Sequence, residues 1–154
     1  MQILTGDLID QALNGDYDVI VQGCNCMCQM GKGIALTIKT VFPEAYAADC
    51  TTIKGDINKL GTITTATVLV KGKPLTIVNG YTQYNWKGDG VLADVEAIKQ
   101  VMLTVKDLYQ GLRIGIPLIG AGLAKGDWKT IQPVIEDVMQ GEDLTVVILP
   151  TVKQ

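Results

Sequence analysis

The chain has 154 residues, the usual length of a single domain, and its 47% hydrophobic and 19% charged residues are those of an ordinary globular protein. The formal net charge of −3 argues against a duplex nucleic-acid partner, because such a partner usually requires a clustered basic face. The charge does not exclude a small anionic ligand, since backbone N–H groups can hold phosphates without net positive charge. We therefore expect one domain over residues 1–154.

The beginning of the chain does not resemble a leader sequence. A signal peptide needs an apolar run of about 7–15 residues, and Gly6 and Asp7 end the apolar start of this chain well before that length. No apolar stretch approaches the ~18 residues of a membrane-spanning helix. We expect a cytoplasmic protein with no membrane partner.

The four cysteines are Cys24, Cys26, Cys28 and Cys50. Disulfides are not expected without a secreted context. The spacing of the first three differs from the common zinc patterns, and the chain has no histidine. The sequence therefore predicts reduced thiols, no metal site and no cofactor.

The first part of the chain alternates between strand and helix patterns. Residues 1–4 and 18–22 are short apolar runs typical of strands, and residues 7–14 can form a short helix that ends at turn residues. Apolar residues three and four apart predict a helix over 34–42, which a proline ends, and a second short helix is expected over 44–50.

The second part continues the alternation after a hairpin. Residues 62–70 and 75–81 are rich in Thr, Ile and Val and lie on either side of Gly72, which favours two antiparallel strands. The remaining apolar patterns predict a helix over residues 94–109, a strand over 113–117, a helix over 128–139 and a strand over 144–149.

This order of elements predicts the fold class. Helices between strands imply a largely parallel sheet covered on both faces, and the hairpin adds one antiparallel pair. We expect a three-layer α/β domain around a mixed, mostly parallel sheet of about six strands. In open sheets of this kind, ligands bind beyond the carboxyl ends of the strands.

Two glycine-bearing loops follow predicted strands and precede predicted helices, at residues 23–33 and 120–126. Glycine allows close approach of the backbone to a ligand, and a helix amino terminus offers unpaired N–H groups. The loops are either simple connectors or a pair that holds a diphosphate from both sides. Neither loop fits the phosphate-loop or dinucleotide-binding pattern.

Four segments give a more specific indication, in order along nearly the whole chain: Thr5-Gly6-Asp7-Leu8-Ile9, Ile20-Val21-Gln22-Gly23-Cys24-Asn25, Met30-Gly31-Lys32-Gly33-Ile34-Ala35 and Ile116-Pro117-Leu118-Ile119-Gly120-Ala121-Gly122-Leu123. Together they resemble the motifs of macrodomains. The third and fourth are similar to a branch with terminal ADP-ribose glycohydrolases, antitoxins that reverse DNA ADP-ribosylation, and ADP-ribose-1″-phosphate phosphatases. The resemblance implies a three-layer α/β/α macrodomain that binds ADP-ribose.

The resemblance also implies roles for individual residues. Asp7 corresponds to the adenine-binding carboxylate and Leu8 offers its backbone N–H to the ring, although Asp7 can also cap the following helix. Asn25 corresponds to the asparagine that contacts the distal ribose, or else it holds the loop as an Asx-turn residue. The other implied ligand-binding residues are Gln22, Cys24, Cys26, Met30, Gly31, Lys32, Gly33, Ile34, Gln83, Pro117, Ile119, Gly120, Ala121, Gly122 and Leu123.

The chain departs from the family where the glycohydrolases carry out catalysis. Gln22 stands in place of the family's usual first asparagine. Those enzymes have a catalytic lysine at the end of the fourth strand and a catalytic aspartate directly after the Gly-x-Gly-Leu segment of the second loop, and the matching residues here are Gln83 and Ala124. Glutamine cannot form the Schiff-base-type adduct of lysine, and alanine carries no acid. Both changes argue against the lysine mechanism.

Few other residues are candidates for catalysis. Asp127 is either a general base or, more commonly in such a position, the N-cap of the last helix. Lys32 is either a solvated charge or a catalytic one. Tyr81, Tyr84 and Trp86 either stack on adenine and cover the ribose or, above all for Tyr81, pack in the core.

Three functional hypotheses follow. The leading one is hydrolysis of ADP-ribose-1″-phosphate to ADP-ribose and phosphate, with Asn25 positioning the substrate or a water and Asp127 as general base. The second is a non-catalytic module that binds ADP-ribose or another NAD-derived nucleotide. The third is a de-ADP-ribosylating hydrolase that acts on a modified macromolecule with a different set of residues.

Overall fold

Six strands form one sheet in a computed structural model that describes residues 1–150. They lie side by side in the order β1-β6-β5-β2-β4-β3, parallel except for the antiparallel β3–β4 pair. Their bounds are β1 (Gln2–Thr5), β2 (Val19–Asn25), β3 (Ile63–Val70), β4 (Lys73–Gln83), β5 (Arg113–Ile116) and β6 (Asp143–Ile148). The predicted mixed, mostly parallel sheet is confirmed.

Five α-helices cover the two faces of the sheet. They are α1 (Leu8–Leu13), α2 (Gly33–Val41), α3 (Pro43–Asp49), α4 (Val95–Leu108) and α5 (Trp128–Val138), and a short 3₁₀ helix spans Ile57–Lys59. Successive strand residues point to opposite faces. Val19 and Val21 accordingly pack with α4 and α5, whereas Ile20 packs with α1, α2 and α3. The predicted three-layer fold is confirmed.

The β3–β4 hairpin turns at Lys71 and Gly72, whose φ angles are 51° and 76°. Two consecutive residues with positive φ form the two-residue turn that matches the twist of a hairpin. The predicted hairpin is confirmed, and β4 extends two residues beyond the predicted end of that strand, to Gln83.

Strand β2 is longer than the sequence predicts. Its pairing with β4 continues through Cys24 and Asn25, with an irregularity in the register between these two residues. The expected loop of residues 23–33 therefore begins three residues later, because backbone pairing with the central neighbour overrides the small and flexible character of these residues. Within residues 1–150, no helix is long and apolar enough to cross a membrane.

An ion pair joins the beginnings of β2 and β5 at the edge of the sheet opposite these extended ends. The Arg113 backbone N, Nε and Nη2 donate to the Asp18 carboxylate at 2.8, 3.2 and 3.0 Å. These hydrogen bonds hold the pKa of Asp18 below its ordinary value. The pair is partly exposed, so its contribution to stability is modest.

We predict that Asp18→Asn lowers the free energy of unfolding at neutral pH by less than about 1 kcal/mol. Because folding lowers the pKa of Asp18, its contribution is complete above the ordinary aspartate pKa of about 4 and is lost as the pH falls through the lowered pKa. Urea unfolding at pH values from 7 down to 3 should therefore show the two proteins converging. Asp107→Asn, on the exposed side of α4, is the control, and an undiminished difference in acid would contradict the prediction.

Candidate functional site

A cavity of about 980 Å³ lies at the carboxyl edge of the sheet. The residues that line the cavity follow one another along this edge in the order of the strands. Asp7 and Leu8 follow β1 and lie beside Val147 of β6 at one end, which we call the β1 end. Asn25 of β2 and Gln83 of β4 lie at the other, the β4 end. The two glycine loops, residues 26–33 and 120–126, lie between them.

The amino terminus of α2 opens into this cavity without a side-chain cap. The carboxylates of Asp7, Asp94 and Asp127 cap α1, α4 and α5, whereas the N-cap of α2 is Lys32, whose side chain makes no capping hydrogen bond. The first N–H groups of a helix have no partner within it. Since Gly33 and the two residues after it line the cavity, their N–H groups and the helix dipole favour an anion there.

The second glycine loop faces this helix end. Gly120 has φ +77°, and a Cβ there would lie 2.8 Å from the Ile98 side chain, so packing requires glycine. Gly122 lines the cavity and has no atom within 4 Å of an added Cβ. Within residues 1–150 the backbone N–H groups of Gly122, Leu123 and Ala124 donate to no acceptor. The loop therefore offers a second set of donors.

The two loops meet across the cavity. Gly33 has φ +59°, and a Cβ built on it would lie 3.2 Å from the Leu123 side chain. Leu123 itself is largely exposed. Both loops therefore line the middle of the cleft and carry unpaired backbone donors there, as a diphosphate site requires.

Asp7 has two roles that do not exclude each other. Its Oδ1 accepts from the N–H groups of Ile9 and Asp10, both at 3.0 Å, which confirms the predicted helix cap. Its Oδ2 makes no hydrogen bond within the described chain, and Asp7 lines the cavity. One carboxylate oxygen thus remains for a ligand at the β1 end.

Asn25 holds the first loop in shape. Its Oδ1 accepts from Met27 N at 2.9 Å, and its Nδ2 donates to the carbonyl of Gln29 at 2.9 Å. The alternative role as an Asx-turn residue is therefore confirmed. An amide nitrogen carries two hydrogens, so one N–H of Asn25 remains for a ligand in the cavity that it lines.

Four residues of the predicted binding set do not line the cavity. Gln22 is fully buried and its Nε2 donates to Asn79 Oδ1 at 2.9 Å. Cys26 and Met30 are buried against Tyr81, and Ala121 packs against the large core under α4 and α5. These side chains support the loops from behind, and the structure places all four outside the cavity lining.

The other predicted binding residues all line the cavity: Asp7, Leu8, Cys24, Asn25, Gly31, Lys32, Gly33, Ile34, Gln83, Pro117, Ile119, Gly120, Gly122 and Leu123. The lining also includes Trp86, one of the aromatic residues considered for stacking, and, among residues that the prediction omitted, Gln29 and Val147 to Leu149 at the end of β6. The position of β6 beside β1 brings these last residues to the cavity, and no local pattern in the sequence reveals that neighbour.

Asp127 is exposed and lies outside the cavity lining. Its carboxylate accepts from Lys129 N at 3.0 Å, so the helix-cap alternative is confirmed, and its position outside the lining gives the general-base alternative no support. Ala124 does line the cavity at the position of the family's acid. Gln83, at the position of the family's lysine, lies at the end of β4 as predicted.

Few titratable groups line the cavity. The lining of the cavity contains one carboxylate, Asp7, one amine, Lys32, and the thiol of Cys24. Burial raises the pKa of the Cys24 thiol well above its ordinary value, so it stays protonated and is not a nucleophile at neutral pH. The β4 end of the cavity therefore carries amides and no acid.

Tyr81 packs in the core, as one of the two alternatives predicts. It is fully buried and its hydroxyl donates to Asp49 Oδ1 at 2.8 Å. The ammonium of Lys59, also buried, lies 5.2 Å from the Tyr81 ring centre and donates to Thr52 Oγ1. This polar cluster was not predicted, and it supports the first loop from below.

Comparison with known proteins identifies similar chains. The family model described as Macro domain matches residues 21–135. An uncharacterized 17.5 kDa protein of Enterobacteria phage T4 is 28% identical over 152 residues, covering 96% of this chain and 95% of that protein. A DNA ADP-ribosyl glycohydrolase of Mycobacterium tuberculosis is 29% identical over 151 residues, covering 95% of this chain. This chain spans only 41% of the length of that enzyme.

Solved structures share the fold. The macrodomain of Mycobacterium tuberculosis DarG superposes with a TM-score of 0.72 at 25% identity, covering 98% of this chain and 99% of that one. Thermosipho africanus DarTG in complex with ADP-ribose superposes with a TM-score of 0.75 at 17% identity, covering 99% of this chain and 42% of that one. The second similarity shows the fold alone.

We predict that Gly122→Glu abolishes ADP-ribose binding and leaves the fold intact. The side chain has open space in front of it, so folding tolerates it, but it places bulk and negative charge where the diphosphate is expected. Calorimetry and circular dichroism measure the two effects. Gln110→Glu adds the same charge at the opposite edge of the sheet and should bind normally. Normal binding by Gly122→Glu would place the diphosphate elsewhere.

Proposed function

This chain belongs to the Macro domain family, and from that premise we propose that it binds ADP-ribose in the cleft, with the diphosphate between the two glycine loops. The observation that carries the proposal is the uncapped amino terminus of α2, which faces the free N–H groups of the second loop. A diphosphate supplies acceptors for both sets of donors, without any need for net positive charge.

The chemistry of the two ends sets the orientation of the ligand. At the β1 end, the free Oδ2 of Asp7 can accept from the exocyclic amine of adenine, while Leu8 and Val147 offer apolar contacts to the ring. At the β4 end, Asn25 and Gln83 offer amides suited to ribose hydroxyls. The terminal ribose and its 1″ carbon therefore lie at the β4 end.

The reaction that we propose is hydrolytic removal of the group attached to the 1″ carbon. One candidate group is DNA, because relatives that are 25–29% identical are named DNA ADP-ribosyl glycohydrolases. The other is phosphate, because Gln83 and Ala124 replace the lysine and aspartate that the glycohydrolase mechanism uses. We take DNA as the first candidate. In that reaction water must attack the 1″ carbon directly, since Gln83 forms no covalent adduct.

We predict that Asp7→Asn lowers ADP-ribose affinity about 10- to 100-fold, the cost of a lost charged hydrogen bond. Asparagine caps a helix as well as aspartate does, so the melting temperature without ligand should stay unchanged. The loss should be smaller for an ADP-ribose analogue with hypoxanthine, which lacks the amine. Calorimetry measures both affinities. If the parent chain shows no thermal shift at millimolar ADP-ribose, the binding proposal itself is wrong.

The reaction is tested with two substrates, ADP-ribosylated single-stranded DNA and ADP-ribose-1″-phosphate. We expect release of ADP-ribose from the DNA, and unchanged turnover in Asp127→Asn, since this residue caps α5 away from the cavity. Release of phosphate alone would favour the phosphatase. If ADP-ribose binds but neither substrate reacts, the chain is a binding module and the proposed hydrolysis is wrong.

A further inference from the structure

Trp86 lies at the β4 end of the cleft and has no role in the function proposed above. Its side chain is 44% exposed and lines the cavity. It belongs to the segment of residues 84–92 between β4 and α4, which we call the tryptophan segment. A large aromatic side chain kept open at a binding cleft is a surface for stacking.

The tryptophan segment is anchored at both ends, so the backbone that carries the indole is fixed beside the cleft. Gln83 Nε2 donates to the carbonyl of Asn85 at 2.8 Å, and Asn85 Oδ1 accepts from the Trp86 N–H at 2.8 Å. At the other end, Leu92 N donates to the carbonyl of Ala124 in the second glycine loop at 2.9 Å. The segment therefore ties the indole to both the end of β4 and the diphosphate loop.

The charges around the indole suit a nucleic-acid strand. The Lys87 ammonium lies 5.5 Å from the Trp86 ring centre, and Lys32 lines the same cleft. The segment also carries one acid, Asp89. An aromatic face with neighbouring cations is the arrangement by which proteins hold single-stranded nucleic acid, with the base on the ring and the phosphodiester near the cations.

We propose that Trp86 is a specificity-determining residue that stacks on a nucleobase of an ADP-ribosylated single strand, at the point of attachment or beside it. The proposal rests on the orientation given above, in which the 1″ carbon lies at the β4 end and its substituent leaves the cleft past Trp86. A paired base is not free to stack, so a single strand is the form that fits.

The test compares the affinity of free ADP-ribose with that of ADP-ribosylated single-stranded DNA, by stopped-flow binding at times before turnover. We expect the DNA-linked form to bind about tenfold or more tightly, and Trp86→Ala to remove this gain while leaving the affinity of free ADP-ribose within about twofold. Trp86→Tyr should restore part of the gain. Val91→Ala, an exposed apolar residue of the same segment, is the matched control and should retain all of it.

The possible outcomes separate the two proposals. If the parent chain does not bind free ADP-ribose, the proposed function fails. If Trp86→Ala weakens both ligands by the same factor, the indole covers the ribose and the stacking proposal is overturned. If the DNA adds no affinity in the parent chain, or a duplex carrying the same modification binds as tightly as the single strand, the proposal is also overturned.

Discussion

The uncapped amino terminus of α2 is the constraint on which the site depends. Aspartates close the beginnings of α1, α4 and α5, and their carboxylates accept from the first N–H groups of each helix. A carboxylate in the same position at Lys32 would satisfy the donors of α2 and would also repel a diphosphate. The absence of that cap leaves the donors to a ligand. These backbone donors favour an anion even in a chain of net charge −3.

A second layer of buried polar groups keeps the donors in place. Gln22 donates to Asn79, and Asn79 Nδ2 in turn donates to the carbonyl of Ala45 in α3 at 2.9 Å. Asp49 at the end of α3 accepts from Tyr81 of β4. These bonds tie β2, β4 and α3 together directly beneath the first glycine loop. Gln22 thus departs from the family at a buried position that shapes the floor of the cleft and does not line the cavity.

The fold was predictable where the signals are local. Alternating strand and helix patterns predict the three layers, and Gly72 predicts the hairpin. Asp7 and Asp127 were predicted as possible helix caps from their positions at the beginnings of helices. Which side chains of residues 22–30 face the cavity was not predictable in the same way. The strand continues to Asn25 through an irregular register, and Cys28 adopts φ 55°, so the alternation of faces does not carry through the loop. Cys26 and Met30 point inward for that reason.

Gln83 connects the loss of the family's lysine to the proposed recognition of DNA. Its amide donates to Asn85 and so anchors the segment that carries Trp86. A lysine at the same position could form an adduct at the 1″ carbon only with its amine free, and it could not then hold this carbonyl. With glutamine in place of lysine, this position therefore holds the neighbouring backbone and forms no covalent bond to a substrate. For the hydrolysis proposed above, the remaining residues at the β4 end can supply orientation, which holds the 1″ substituent and a water in line.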